Sequence, residues 1–294
     1  MRALLLAAAL GLSASSGCFI SAYAMQTPTP AATSSPYSYA DVADLATIAP
    51  MAIHARIFRA TVLKAERAPG LKAGQARFYV EADVVSLIRG AGPLAARISY
   101  LVDLPLDARG KPVKLRKKQP VLIFARPVAG VAPGAKNTGS VQLVAPDAQL
   151  PWDPATEAQL RAILTELVKP GAPPAITGVA NGFHVPGTLP GEGETQLFLD
   201  TTTGEPVSLS ILTAPDGSRR WAAAFGEIVD GSAAVPARDT LAWYRLACGL
   251  PHQLPLSKLA GTAPEDRKKA AADYAVVLGA LGECTRTRTP PAAN

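Results

Sequence analysis

Along this 294-residue chain, apolar positions first recur with a period of two. From Met51, the residues Met51, Ile53, Ala55 and Ile57 share one parity, and Phe58, Ala60 and Val62 continue on the other. Alternation of this kind buries one face of a strand, and the parity flip at Ile57/Phe58 predicts a bulge or sharp coil there. Phe78, Val80, Ala82, Val84 and Ile88 alternate with Arg77, Tyr79, Glu81, Asp83 and Arg89, predicting a second half-buried strand that ends at Gly90. Ile98, Tyr100, Val102 and Leu104 form a third face. The continuous run Val121-Leu122-Ile123-Phe124-Ala125 predicts a strand covered on both sides, and Val141 and Leu143 mark a fifth. Short strands at this spacing point to a small barrel or sandwich.

The period then lengthens. Asp153-Pro154 supplies an N-cap and a first-turn proline, and Leu160, Ile163, Leu164, Leu167 and Val168 follow as one helical stripe, stopped by Pro170-Gly171. Residues 170–194 are rich in Gly and Pro and read as a connector. Thr195–Leu199, Val207–Leu212 and Arg220–Val229 predict a three-stranded antiparallel meander with a turn at Asp216-Gly217. A helix over Arg238–Cys248 is closed by Gly249 and Pro251. A second, opened by the capping pattern Thr262-x-x-Glu265 with Pro264 in its first turn, runs through Tyr274, Val277, Leu278 and Leu281 to Cys284. Trp221, Trp243 and Tyr244 are anchors for this second part. The expectation is an α+β protein, with a β-domain plus flanking helix over 40–169, the connector over 170–194, an α+β domain over 195–285 and a polar tail over 286–294.

The N-terminus changes where such a chain belongs. Met1-Arg2 precedes an apolar stretch shorter than a bilayer span, and Ala22-Tyr23-Ala24 has the small-x-small exit of a signal peptide cleaved after Ala24. Ser15-Ser16-Gly17-Cys18 keeps open a lipoprotein anchored at Cys18. Residues 25–39 form a leader rich in Pro, Thr and Ser. After either cut, Cys248 and Cys284 remain, which in an exported chain predicts one disulfide.

The stretch from about 48 to 127 resembles the netrin- and TIMP-type OB barrels of secreted proteins. The likeness lies in Ala52-Ile53-His54-Ala55-Arg56-Ile57, in the strand from Phe78 to Arg89 with its closing Gly90, and in Gln119-Pro120-Val121-Leu122-Ile123-Phe124-Ala125. It implies a small OB-like barrel with a long coiled first strand. The N-terminal cysteines with which TIMP-type members bridge the barrel and grip a protease metal are missing here, which removes that inhibitor mechanism. The whole chain resembles uncharacterised exported bacterial proteins.

Charge divides the chain. Residues 37–150 carry sixteen Lys and Arg against eight Asp and Glu, whereas residues 151–294 carry twelve against fifteen. The basic excess concentrates in Arg109, Lys111, Lys114, Arg116, Lys117 and Lys118, a run that can hold an anionic ligand or serve as a solvated loop guarding a sheet edge. It contains no aromatic residue for base stacking, which argues against nucleic acid. His184, Glu192 and Glu194 place three titratable groups in one Gly/Pro-rich segment, a weak candidate for general-base chemistry whose spacing matches no zinc or hydrolase motif. His54 and His252 read as surface residues. No G-x-S-x-G, H-E-x-x-H, P-loop or C-x-x-C occurs, and no metal or cofactor is expected. These features favour a non-enzymatic envelope binding or interaction protein with an unidentified partner. The alternative is a periplasmic hydrolase-like enzyme built on the His184 segment.

Overall fold

The computed structural model describes residues 35–128, 139–226, 233–259 and 263–288. Its elements, in order, are α1 (Tyr39–Ile48), β1 (Met51–Val62), β2 (Gln75–Arg89), β3 (Arg97–Pro105), β4 (Pro120–Pro127), β5 (Val141–Leu143), β6 (Gln149–Pro151), α2 (Pro154–Leu167), β7 (Ile176–Pro186), β8 (Gly193–Thr201), β9 (Val207–Thr213), β10 (Arg219–Phe225), α3 (Leu241–Gly249) and α4 (Pro264–Leu281). The strands form two antiparallel sheets, so the class is α+β. The signal segment, the Cys18 alternative and leader residues 25–34 lie outside the described residues.

The first sheet runs β3-β2-β1-β4-β5, with β6 also on β4. Its central β1 carries the expected bulge, seen as a register shift between Ile57 and Arg59, with further shifts at Ala52/Ile53 and His54/Ala55. Each extra residue coils the strand, so β1 pairs with β2 along its length and with β4 through its first half. The run Val121–Ala125 is fully buried, as its unbroken apolarity requires. The two edges, β3 and β5, approach through one parallel bridge, Ser99 to Ser140, and through Asp103 N–H donating to Pro146 O at 2.8 Å. With β5 only Val141–Leu143 long, no continuous ladder closes the expected barrel among the described residues.

A helical layer joins this sheet to the next. Helix α1 opens on a reciprocal cap between Ser38 and Asp41 and packs on α2 and α3. It occupies residues that the strand pattern left unassigned. Helix α2 starts at Pro154 on the Asp153 cap, as expected.

The second sheet is β10-β9-β8-β7, four strands instead of three, because the expected connector contains β7. Register shifts at Ile176/Gly178 and Val179/Asn181 break its alternation, so Ile176, Val179, Gly182 and His184 face inward while Phe183 and Val185 face solvent. A pattern read at fixed parity cannot find such a strand. Helix α4 covers β7, β8 and β10. Its N-cap is Ala263, not Thr262, which lies outside the described residues. The helix ends at Leu281, before Cys284, where Gly282 takes φ 70°. The expected disulfide joins Cys248 and Cys284, with Cα atoms 5.2 Å apart. The expected polar tail is docked over its described part, residues 286–288. Arg286 pairs with Asp44 at 2.7 Å, and Thr287 and Arg288 give backbone N–H bonds to Asp41 at 3.0 and 2.9 Å.

Candidate functional site

A cluster of buried polar groups, His184, Thr195 and Asp273, lies between the second sheet and α4. The bulges of β7 turn His184 inward beside Thr195, the polar member of the inward series Thr195, Leu197, Leu199 on β8. Asp273 arrives from α4, in the same buried stripe as Ala270, Tyr274, Val277 and Leu281. Its carboxylate, 1% exposed, accepts from Thr195 Oγ1 at 2.6 Å, from Arg219 Nε at 2.6 Å and from Thr213 Oγ1 at 3.4 Å. His184 Nδ1 lies 2.9 Å from Thr195 Oγ1 and 3.6 Å from Asp273 Oδ2. Since Thr195 spends its single proton on Asp273, the imidazole must donate through Nδ1–H. When the ring is neutral, Nε2 carries a lone pair, and that atom is buried without a partner among the described residues.

A cavity of about 520 Å³ opens on this group, lined by His184, Glu192, Thr213, Arg219, Lys269 and Asp273 and walled by the turn 187–191. Of the expected trio, His184 and Glu192 therefore share a cavity. Glu192 closes its own turn, its Oε2 accepting from Leu189 N–H at 3.2 Å and from Thr188 Oγ1 at 3.4 Å. Glu194 belongs to the other face of the sheet, opposite Val185, and accepts from Gln196 Nε2 at 2.6 Å. Asp273, Thr195 and Arg219 were not legible as site residues. The available signal was an acid inside the apolar stripe of a helix.

The basic run forms an exposed loop between β3 and β4 that returns to β1. Lys118, at φ 67°, donates its backbone N–H to Ile57 O at 2.7 Å. Arg109, Lys111, Lys114, Arg116, Lys117 and Lys118 are all exposed, and no carboxylate pairs with their side chains among the described residues. Asp107 turns its oxygen to the backbone N–H of Arg109 and Lys111 instead, at 2.9 and 2.8 Å. Lys117 Nζ stands 5.2 Å from the Phe58 ring centroid, and Arg97, paired with Asp83, lies over the same ring at 3.4 Å. A depression of about 560 Å³ here is lined by Arg56, Ile57, Phe58, Asp83, Val84, Val85, Lys117 and Lys118, and its carboxylate, Asp83, is held by Arg97. It combines cations with apolar surface.

His54 is not on the surface. It is 8% exposed and stacks on Trp152 with ring centroids 4.7 Å apart. Its Nδ1 lies 3.3 Å from Glu157 Oε2, which also accepts the Trp152 indole N–H. Burial holds the His54 imidazole below its usual range, outweighing the opposing pull of Glu157. Burial pushes the Glu157 carboxyl up, but hydrogen bonds from Trp152 and Arg161 bring it below its ordinary value. His252 is exposed, as expected. A further cavity of about 600 Å³ lies where β3 and β5 face each other, but its Arg77 is held bidentately by Asp103 at 2.7 Å.

Among the described residues no group of three His, Cys, Asp or Glu is placed to hold a metal ion, and no helix is long and apolar enough to cross a membrane. The chain matches no protein-family model and no curated protein.

Proposed function

We propose that the protein is an exported, non-enzymatic binding module of the cell envelope that engages an anionic component through its basic loop. The observation that carries the reading is the set of cations from Arg109 to Lys118 without carboxylate partners among the described residues, beside the depression containing Phe58, Val84 and Val85, whose one carboxylate, Asp83, is neutralised by Arg97. Cations attract a phosphate-bearing surface, and adjoining apolar groups suit the boundary between lipid headgroup and acyl chain. Export rests on the signal pattern ending at Ala24, or on a lipid anchor at Cys18. The Cys248–Cys284 bond is compatible with an oxidising compartment. The strand order β3-β2-β1-β4-β5, with β3 beside β5, supports the OB-like resemblance, since a Greek-key barrel of that type has this neighbour pattern.

The test is co-sedimentation of the protein lacking residues 1–24 with vesicles of phosphatidylglycerol or of phosphatidylcholine, across a salt series. Binding to the anionic vesicles alone, weakening as salt rises, is expected. Each neutralisation, Lys117→Ala or Lys118→Ala, weakens it about five-fold, from roughly 1 kcal/mol per cation near such a surface, and the corresponding Lys→Glu change weakens it further. Absence of binding at low salt ends this reading.

A further inference from the structure

We infer that the cavity over His184 is a second binding site, separate from the basic loop, and that it takes a neutral, hydroxyl-rich ligand of the saccharide class. The cavity is built around buried polar groups. Asp273 and Thr195 are 1% and 0% exposed, and His184 is 7% exposed. Polar groups withdrawn from water to this degree are costly unless fully bonded. Asp273 is satisfied by Thr195, Thr213 and Arg219, whereas His184 Nε2 is left as an acceptor without a partner. A side chain at position 193 would crowd that nitrogen, because a Cβ there would stand 2.7 Å from Nε2. The missing side chain at Gly193 is what lets the His184 ring pack there.

The lining selects the ligand. Arg219 and Lys269 bring two positive charges, paired with Asp273 at 2.6 Å and with Asp266 at 3.3 Å, and Glu192 and Asp273 bring two negative ones. An anion would meet Glu192, and a cation would meet Arg219 and Lys269. Neither sign has an advantage at such a balanced wall. A hydroxyl group both donates and accepts, so it can give to Glu192 and receive from Lys269 or Arg219, next to the buried His184 ring. Pro186, Leu189 and Pro190 supply an apolar side against which the C–H face of a sugar ring can rest. A volume of about 520 Å³ lies in the range of small-molecule sites and has room for a disaccharide.

The experiment follows the His184 ring by ¹H–¹⁵N NMR in the protein lacking residues 1–24, titrated with maltose, with N,N′-diacetylchitobiose and with inorganic phosphate. A saturable shift of the Nε2 resonance with at least one disaccharide, and none with phosphate, is expected. Lys269→Ala and Glu192→Gln each weaken that binding about ten-fold, the loss of one hydrogen bond to a charged group. Both side chains lie off the buried network, and an unchanged amide spectrum away from the cavity shows that the variants fold. A shift with phosphate alone, no shift with any probe, or a sugar shift indifferent to both substitutions overturns the inference. Vesicle binding by the basic loop is read separately, so either proposal can fail without the other.

Discussion

At the scale of single residues, buried ionisable groups decide how the protein answers pH. His54 has a folded value below its ordinary 6.5, with burial as the largest cause. The unfolded chain therefore binds the proton more tightly, and stability rises with pH across that interval. The contribution is intact above pH 6.5 and is lost as pH falls from 6.5 through the folded value. Urea midpoints are expected to drop between pH 7.5 and 5, and His54→Leu should flatten that step. An equal step in the variant would assign it to another group. The strand pattern misplaced His54 because a register shift lies immediately after it, at His54/Ala55, and Trp152 then covers the face assumed to be solvent. Asp273 was missed for a different reason. An acid in an apolar stripe looks like an interruption until Thr195, Thr213 and Arg219, from three strands, are seen converging on it.

At the scale of elements, legibility followed the locality of the signal. Helix α2 was readable end to end because its cap, its proline and its stripe all lie within Asp153–Val168. Asp153 accepts the Thr156 backbone N–H at 2.9 Å and also holds the Thr156 hydroxyl. Asp153→Ala should cost about 1 kcal/mol in chemical denaturation, and Asp153→Ser should recover most of it. Equal losses in both would mean that the carboxylate acts through something other than the cap. Strand β7 was unreadable because its two bulges cancel the alternation that identifies strands, and its Gly and Pro content imitates a linker. The same bulges deliver His184 to the interior, so the local irregularity that hid the strand also made the cavity. Helix α1 escaped because six of its ten residues are Ala, Thr or Asp flanked by a Pro/Ser leader, and its burial is imposed by α2 and α3 from far along the chain.

At the scale of the whole molecule, the two ends of the described chain are clasped together. Asp41 is 0% exposed and caps α1, and the same carboxylate accepts the backbone N–H groups of Thr287 and Arg288. Arg286 grips Asp44, and Arg288 reaches Asp147 at 2.9 Å. The Cys248–Cys284 bond sets the start of this strap, and in the chain-entropy picture closing its 36-residue separation contributes about 3–4 kcal/mol. Burial raises the Asp41 carboxyl, but the bonds from Thr287, Arg288 and Ser38 outweigh it and hold the folded value below the ordinary 3.8. The sign for a depressed carboxylate is fixed. Its contribution is whole above pH 3.8 and disappears as pH falls through the folded value. Deleting residues 285–294 keeps the disulfide and removes the strap, and should cost about 2–3 kcal/mol at pH 7, the scale of one or two hydrogen bonds to a charged group. The deletion should also shrink the acid-induced loss below pH 3.8, because Asp41 then has fewer partners to lose. Denaturant midpoints for both chains between pH 7 and 2.5 check the two effects together. Equal midpoints at pH 7 would mean that water replaces the strap at no cost, and a parallel acid limb would place the carboxylate responsible elsewhere.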